Sequence, residues 1–318
     1  MDSKERCTKT MSGEKLAVIM DGSSFIFRAF FACPPMKTAD GRSVGAVHGF
    51  CTMLISQLCK HDSDLFCVAM DSGRHTFRLD MYPQYKANRE AIPDDLRAQM
   101  PLMNEACGAF GLPTISQPGF EADDVIASYS NELASRGYKV RIVGIDKDLL
   151  QLMNDSIEIY DPVKSKIVTT EDVKTKYGVI PSQMVDFQAL VGDKSDNIPG
   201  VAGIGPVTAA KLIKNYGPLQ GIYENINKVE PEKLKDRLIT HREDAELSKK
   251  LATLSKNVKI FDIFPPIKFN YNHEKAHDFL SSLGFESLIN RMYRTSIYAK
   301  STATFLQHKS NILHANID

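Results

Sequence analysis

The stretch GFEADDVIASYSNELASRGYKVRIVGIDKD, residues 119–148, combines a predicted helix, a predicted strand and two groups of acidic residues. Apolar residues at helical spacing follow the first acidic group, and Gly137 ends this helix. Residues 139–145 alternate as in a strand, and the second acidic group follows directly. Helix starts and strand ends meet at one crevice of a βαβ unit, so we expect both groups to converge there. The five acids are Glu121, Asp123, Asp124, Asp146 and Asp148.

Acidic residues at a helix start have two explanations. The helix dipole favours negative charge there, which would explain one or two of the first three acids. It does not explain Asp146 and Asp148, which would place two charges at the end of a buried strand. Like charges this close repel unless a cation lies among them, and a hard divalent cation prefers carboxylate ligands. The stretch therefore predicts a metal site.

Two other strand-like runs also end in aspartate. LAVIM (16–20) and LFCVAM (65–70) are apolar throughout, as is typical of buried parallel strands, and Asp21 and Asp71 follow them. One such aspartate is common in a solvated loop. Several at the carboxyl ends of parallel strands predict a ligand site at one edge of the sheet. We expect an α/β fold with a mainly parallel central sheet flanked by helices.

The bulk composition is that of a soluble globular protein. The 318 residues are 43% hydrophobic and 25% charged, enough for a sizeable core in one or two domains. No apolar run approaches the ~20 residues that span a bilayer, and the polar N-terminus lacks a signal-peptide core. The six cysteines form no CxxC pair, so we expect a cytoplasmic protein with free thiols. Zero formal net charge argues mildly against a nucleic-acid partner, but clustered acids would conceal basic residues elsewhere.

Residues 72–93 interrupt the α/β pattern with alternating cations and aromatics. This mixture suits either a mobile surface loop or a segment that contacts phosphates and stacks on bases. The segment has too few apolar residues in regular register to pack as a core element, so we expect mobility without DNA. Its main cations and aromatics are Arg74, His75, Phe77, Arg78, Tyr82, Tyr85, Lys86 and Arg89.

A second acidic turn, GDKSDN (192–197), contains Asp193 and Asp196, which form either a solvated turn or the last ligands of the same cluster. A glycine-rich turn and a helix-forming run follow, as is typical of a helix-hairpin-helix at 197–215. Such a turn exposes backbone N–H groups to a phosphate, although any tight turn can use these glycines. No acid occurs between Asp196 and Glu224. The turn glycines and helix lysines are Gly200, Gly203, Gly205, Lys211 and Lys214.

We predict four segments along the chain. They are a disordered lead (1–14), an α/β domain (15–190) that contains the 72–93 segment, a helical region (191–293) and a polar tail (294–318) to which we assign no role. Smaller predicted elements are a hairpin (157–160 with 167–169), a strand (267–271) and a helical stretch (231–254).

These motifs together resemble the 5′ nuclease (flap endonuclease) superfamily, and within it the N-terminal 5′–3′ exonuclease domain of bacterial DNA polymerase I. The resemblance covers roughly residues 15–290 and implies the PIN-like 5′ nuclease fold, in which 72–93 is a helical arch around the single-stranded 5′ end. The matching motifs are Asp21-Gly22, Asp71, Tyr85-Lys86-x-x-Arg89, Glu121-Ala122-Asp123-Asp124, Asp146-Lys147-Asp148, Gly192-Asp193-x-x-Asp196-Asn197 and Gly203-Ile204-Gly205-Pro206.

The resemblance implies two Mg²⁺ ions, for which Mn²⁺ can substitute, and a K⁺ at the helix-hairpin-helix turn. We expect Asp71, Glu121, Asp123, Asp146 and Asp148 to lie nearest the metals. The remaining expected ligands, direct or through water, are Asp21, Asp124, Asp193 and Asp196. Lys86 and Arg89 would stabilise charge on the scissile phosphate, and Tyr85 would stack on an unpaired base. The expected DNA contacts are Arg74, Arg78, Gly203, Gly205, Lys211 and Lys214.

The implied activity is structure-specific 5′–3′ exonuclease and 5′-flap endonuclease cleavage in replication and repair. The implied partners are DNA with a 5′ flap, a nick or a single-stranded 5′ end, RNA primer–DNA junctions, and a DNA polymerase. We expect a monomer in the cytoplasm, associated with the bacterial nucleoid, without membrane contact. Nothing like proofreading or polymerase domains fits after residue 290, so the chain is either a stand-alone nuclease or a domain of a longer polymerase.

Two other functions compete with this one. A haloacid-dehalogenase-type phosphatase would use Asp146-x-Asp148 after a strand, but that family places its DxD motif on the first strand, where this chain has Asp21-Gly22-Ser23. A branched-DNA-binding protein without catalysis would carry Asn, Ser or Gly at the acidic positions, and none does.

Overall fold

The computed structural model describes residues 15–259 and 271–295. The predicted disordered lead, most of the predicted strand at 267–271 and nearly all of the tail lie outside the described residues. The strands are β1 (Lys15–Asp21), β2 (Leu65–Ala69), β3 (Thr114–Ile115), β4 (Tyr138–Val143), β5 (Ile157–Asp161) and β6 (Lys166–Ile167).

Helices make up most of the regular structure. They are α1 (Gly22–Ala32), α2 (Gly45–Lys60), α3 (Phe77–Met81), α4 (Asp94–Ala109), α5 (Ala122–Ser135), α6 (Thr170–Tyr177), α7 (Met184–Val191), α8 (Pro206–Tyr216), α9 (Leu219–Glu224), α10 (Glu232–Thr240), α11 (Arg242–Ala252), α12 (His273–Ser282) and α13 (Glu286–Tyr293). Short 3₁₀ helices occupy Asp148–Leu152, Pro181–Gln183 and Ile226–Lys228. Within the described ranges, no helix is long and apolar enough to span a bilayer.

Contacts group the described residues into two units, each built from separate parts of the chain. The first contains the residues up to Met70, Ile92–Ile115 and the helices after residue 271. The second contains Asp71–Ala91 and the residues from Ser116 to 259. The domain boundaries predicted from the sequence follow chain order instead, and they stay a prediction.

The first unit contains three parallel strands, with β2 between β1 and β3. The two apolar runs of the sequence form β1 and β2, which are buried almost throughout, as predicted. Asp21 ends β1 opposite Ala69, and its side chain caps α1 by accepting a hydrogen bond from the Ser24 N–H at 3.1 Å. Gly22 follows because a Cβ there would lie 2.8 Å from the Ala69 carbonyl oxygen.

The second unit contains β4 parallel to β5, with β6 antiparallel to β5, which confirms the predicted hairpin. The strand predicted at 139–145 ends at Val143, so two residues separate it from Asp146. α5 begins at Ala122 with Glu121 as its N-cap, which confirms that the first acidic group lies at a helix start. The chain therefore has a mostly parallel sheet arrangement flanked by helices, as predicted.

The region predicted as a helix-hairpin-helix, 197–215, contains the second part of a turn over residues 192–205 and most of α8, and α7 precedes the turn. Within the turn, Asp193 and Ile198 exchange two backbone hydrogen bonds of 2.9 and 2.8 Å. Two glycines pack backbone against backbone here, because a Cβ at Gly200 would lie 2.3 Å from the Gly192 nitrogen. Both glycines also have positive φ angles, so side chains are excluded at each position.

Residues 72–91 are part of the second unit and contribute to its core, contrary to the prediction that the 72–93 segment could not join a core. Tyr85 forms a buried cluster with Ile198 and Leu251, and Leu79 and Tyr82 pack against it. The prediction was wrong because it required regular apolar spacing within the segment. The packing partners come instead from distant parts of the chain, which no local periodicity reveals.

Candidate metal centre and nucleic-acid interface

Three carboxylates converge in the second unit. Each of Asp148, Asp193 and Asp196 offers one oxygen, and these oxygens all lie within 4.8 Å of one another. Asp148 begins a 3₁₀ helix, and the other two lie in the turn after α7. The structure therefore joins the second acidic group of the 119–148 stretch to the later acidic turn. An all-oxygen set of this size fits a hard divalent cation.

Asp148 is held from two sides. Its carboxylate Oδ1 accepts a hydrogen bond of 2.5 Å from Gln188 Nε2, and its N–H donates to Asp146 Oδ1 at 2.9 Å. Burial, followed by the nearby charge of Asp146, raises the pKa of Asp148 to about 7. The protein thus holds Asp148 where a full negative charge is unfavourable without a compensating cation.

Asp193 has a partner that the sequence analysis did not single out. Lys147 Nζ lies 2.7 Å from its Oδ2, and Ser195 donates its N–H and its hydroxyl to Oδ1 at 2.9 and 2.7 Å. Burial alone would raise the pKa of Asp193, but the hydrogen bonds from Lys147 and Ser195 lower it. The position of Lys147 inside Asp146-Lys147-Asp148 was the available sequence signal.

Lys86 connects the acidic turn to Glu121 at the start of α5, and Arg89 pairs with the same acidic turn. Lys86 Nζ lies 2.5 Å from Glu121 Oε1 and 3.6 Å from Asp196 Oδ2, and Arg89 lies 2.5 Å from Asp196 Oδ1. Lys86 has a φ of 55°, and its N–H donates to the Asp196 carbonyl at 2.9 Å. A non-glycine residue in this conformation is characteristic of functional sites. Burial lowers the pKa of Lys86, but the charges of Glu121 and Asp196 outweigh this and raise it.

Within the described residues, the other predicted ligands are not members of the group of three converging carboxylates. Asp71 is exposed, and its Oδ1 accepts from the Ala122 N–H at 2.8 Å, which places it beside Glu121. Asp123 is half-buried in the first turn of α5, and Asp146 is exposed. Asp21 belongs to the first unit. Their roles as ligands stay a prediction.

Asp124 contradicts the expectation that it binds metal. Its side chain is 0% exposed, and the Arg78 guanidinium donates to both of its oxygens at 2.6 and 2.9 Å. The same oxygens accept from the Ser255 and Glu121 N–H groups at 2.8 and 3.2 Å. A carboxylate engaged in this way has no lone pair directed toward a cation. Asp124 closes the capping box of α5 instead.

Arg78 contradicts the expectation of a DNA contact. Its side chain is 1% exposed and also donates to the carbonyl oxygens of Leu251 and Thr253 at 2.8 and 3.2 Å. Arg78 was predicted to lie on a mobile surface because the 72–93 segment has few apolar residues in regular register. The carboxylate of Asp124 makes burial possible here.

Tyr85 contradicts the expectation of base stacking. It is 4% exposed, and its ring packs in the cluster with Ile198 and Leu251. Its hydroxyl lies 3.0 Å from Glu121 Oε2 and 3.3 Å from Asp196 Oδ2. Tyr85 therefore hydrogen-bonds two acidic residues through its hydroxyl, and its ring is buried instead of being exposed to a base.

Backbone groups of residues 251–255, at the end of α11 and directly after it, are bonded by side chains from three elements. Arg78 reaches Leu251 and Thr253, and Asp124 accepts from Ser255. Gln151 donates to the Ala252 carbonyl at 3.0 Å and accepts from the Leu254 N–H at 3.0 Å. This segment thus fixes the 72–93 segment, α5 and the Asp148–Leu152 helix to one another.

The residues predicted to grip a duplex lie on the surface. The predicted contacts Arg74, Gly203, Gly205, Lys211 and Lys214 are all exposed. Gly205 is the N-cap of α8, and the Gly203 carbonyl accepts from Arg237 at 3.1 Å. Their contact with DNA stays a prediction.

Comparison with known proteins identifies the family. A model described as the N-terminal resolvase-like domain of 5′-3′ exonucleases matches residues 16–178, and one described as their C-terminal SAM fold matches residues 179–272. The chain belongs to the 5′-3′ exonuclease family. A 5′-3′ exonuclease of Aquifex aeolicus is 40% identical over 246 residues, covering 77% of this chain and 84% of that protein.

Relatives in this exonuclease family include longer proteins. DNA polymerase I of Rhizobium leguminosarum is 39% identical over 300 residues, which cover 92% of this chain and 29% of that protein. The chain therefore spans about a third of the length of its polymerase relatives.

Solved structures share the fold at low sequence identity. T5 5′-exonuclease with bound zinc superimposes with a TM-score of 0.65 at 20% identity, covering 88% of this chain and 99% of that one. The catalytic core of Rad2 in complex with DNA substrate superimposes with a TM-score of 0.57 at 16% identity, covering 88% and 93%. These likenesses confirm the predicted nuclease fold.

Proposed function

We propose that this chain hydrolyses DNA phosphodiester bonds as a structure-specific 5′–3′ exonuclease and 5′-flap endonuclease. The convergence of Asp148, Asp193 and Asp196, with Lys86 and Arg89 bonded to the same acidic turn, carries the proposal. Carboxylates alone would suit many metal sites. The positively charged side chains of Lys86 and Arg89, which are bonded to the same acidic turn, add the groups that can bind a phosphate anion.

The cofactors we propose are two Mg²⁺ ions, with Mn²⁺ as a substitute. Asp148, Asp193 and Asp196 would hold one, and Glu121 with Asp71 and Asp123 at the start of α5 would contribute to the other. When bound, such ions make water nucleophilic near neutral pH and neutralise the leaving oxygen. We also propose that a K⁺ ion binds at the turn before α8.

Lys86 and Arg89 have two alternative partners in this proposal. Without substrate they pair with Glu121 and Asp196, and this pairing reduces repulsion among the acids. A scissile phosphate would offer the same ammonium and guanidinium groups a new anionic partner. Each could then donate to phosphate oxygens, and the contact would strengthen as negative charge develops in the transition state.

The substrate we propose is DNA with a 5′ flap, a nick or a single-stranded 5′ end, including RNA primer–DNA junctions. Exposed Lys211 and Lys214 on α8 and the turn at Gly203 would contact duplex phosphates. We infer a cytoplasmic monomer that acts in replication and repair. A DNA polymerase, on the same or another chain, would supply its substrate.

The test is cleavage of a 5′-flap duplex labelled at its 5′ end, with Mg²⁺ or with EDTA. We expect Mg²⁺-dependent products whose lengths separate mononucleotide release from cleavage at the flap junction. An Asp196→Asn variant purified in parallel controls for contaminating nucleases. Equal cleavage by this variant, or no cleavage by the wild type over a range of Mg²⁺ and Mn²⁺ concentrations, would refute the proposal.

A further inference from the structure

Gln188 is a buried amide directed at the converging carboxylates, and no motif in the sequence pointed to it. It lies on α7 among residues that form the core, and it is 2% exposed. Its Nε2 donates to Asp148 Oδ1 at 2.5 Å. Its Oε1 is fully buried and has no hydrogen-bond partner within the described part of the chain.

An unpaired buried amide oxygen is costly. Leaving such a group without a partner costs about 1–3 kcal/mol, and a methionine of similar length would fill the same space without that cost. The neighbouring Ala189 and Leu190 are apolar and completely buried, so the helix does not require polarity here. The amide is therefore explained by what it contacts, which is the carboxylate of Asp148.

The orientation of the amide follows from the charge of Asp148. If the amide were reversed, Oε1 would face a carboxylate oxygen, and two acceptors would repel. With Nε2 toward Asp148, Oε1 lies beside it on the same planar group, close to the carboxylate cluster. A hydrogen-bond donor is missing at that position, and a hydrated cation brings such donors because Mg²⁺ usually keeps several waters.

We infer that Gln188 is a positioning residue of the metal centre: its Nε2–H orients the Asp148 carboxylate, and its Oε1 accepts a hydrogen bond from hydration water of a divalent cation. The inference rests on the proposed function for the presence of that cation. Residues that orient a ligand in this way change metal affinity about 10–100-fold when they are lost.

Gln151 is a second glutamine that contacts Asp148, and its hydrogen bonds are purely structural. It donates to the carbonyl oxygens of Asp148 and Ala252 at 2.9 and 3.0 Å and accepts from the Leu254 N–H at 3.0 Å. Its donor and its acceptor are thus both satisfied within the protein. Gln188 differs in that its donor touches a carboxylate and its acceptor is left unpaired.

The experiment measures Mn²⁺ binding by electron paramagnetic resonance, without DNA, for the wild type, Gln188→Met and Gln188→Asn. We expect Gln188→Met to bind Mn²⁺ about tenfold more weakly, because it keeps the length and loses both hydrogen bonds. Gln188→Asn keeps the amide but is one methylene shorter, so it should also bind more weakly. Raising Mg²⁺ should restore cleavage by either variant toward the wild-type rate.

Gln57→Met is the matched control, because Gln57 is a buried glutamine of the first unit that bonds only to His61 among the described contacts. It should bind Mn²⁺ within twofold of the wild type. If Gln188→Met does not fold, Gln188→Asn decides the question.

Wild-type-like Mn²⁺ affinity in a folded Gln188 variant would overturn the inference, as would a wild type that binds no Mn²⁺. A wild type that binds Mn²⁺ but does not cleave flap DNA would refute the proposed function alone, because the titration uses no DNA.

Discussion

Asp124 and the three aspartates Asp148, Asp193 and Asp196 all belong to acidic motifs of the second unit, but their surroundings in the structure differ completely. Asp124 is buried against Arg78, with donors on both oxygens. Asp148, Asp193 and Asp196 crowd together with oxygens within 4.8 Å. The first arrangement is complete without any added ion. The second keeps three carboxylates close together even though Lys147, Lys86 and Arg89 pair with two of them. The difference lies in the partners, so an acidic motif alone does not distinguish a structural ion pair from a metal centre.

The largest effect should come from breaking the structural pair. Arg78→Met leaves the Asp124 carboxylate buried without its cation, and we expect a loss of about 3–5 kcal/mol in the free energy of unfolding. Denaturant unfolding measures this loss. The double variant Arg78→Met/Asp124→Leu should recover much of it, because no charge then remains buried. A loss below about 1 kcal/mol in the single variant would show that the pair does not stabilise the fold.

Removing one carboxylate of the Asp148, Asp193 and Asp196 cluster should lower the activity without lowering the stability. Asp148→Asn should lower the single-turnover cleavage rate by about a hundredfold or more while the unfolding free energy stays level or rises, because one of several repelling charges is gone. Parallel kinetics and denaturant unfolding measure both quantities. Asp161→Asn, at the end of β5, is the control and should keep the wild-type rate. Cleavage by Asp148→Asn at more than a tenth of the wild-type rate would show that Asp148 is not a metal ligand.

Lys86 tests whether the cations bonded to the cluster act on the substrate. Lys86→Ala should lower the single-turnover rate about ten- to a hundredfold and change flap-DNA binding in Ca²⁺ much less, because its contact matters mainly in the transition state. Lys194→Ala, an exposed lysine in the acidic turn, is the matched control. A rate within twofold of wild type would make Lys86 a structural partner of Glu121, like Arg78 with Asp124.

The smallest effect should come from the exposed lysines of α8, whose predicted role is to contact DNA phosphates and not to take part in catalysis. Lys211→Ala with Lys214→Ala should reduce the slope of log affinity against log salt by about one unit per lost phosphate contact. Binding titrations across salt concentrations measure the slope. Replacing the exposed lysines Lys174 and Lys176 of α6 provides the control. An unchanged slope in the α8 variant would show that α8 does not touch the DNA backbone.

The sequence predicted elements and motifs well where the signal is local. The apolar runs of β1 and β2, the acidic start of α5 and the glycine turn before α8 all lie where periodicity and turn residues placed them. The errors concern long-range partners. Arg78 and Tyr85 were assigned to a mobile surface because their partners, Leu251 and Ile198, lie far away in the chain. Gln188 was missed because an isolated amide within an apolar helix has no motif.

The hydrogen bonds to residues 251–255 have a consequence for the order in which the molecule forms. Arg78 is 173 and 175 residues away from the carbonyl groups that it binds, and Ser255 is 131 residues from Asp124. Contacts of such long sequence separation form late, because a long loop must close before they stabilise anything. A nascent chain that has emerged only as far as α8 already contains every predicted acidic ligand, yet it lacks the carbonyl groups of Leu251 and Thr253 that accept hydrogen bonds from Arg78. Synthesis of α11 is therefore the step after which the acidic residues can settle into their final arrangement, and ribosome-bound chains shorter than this should not bind Mn²⁺ as the finished protein does.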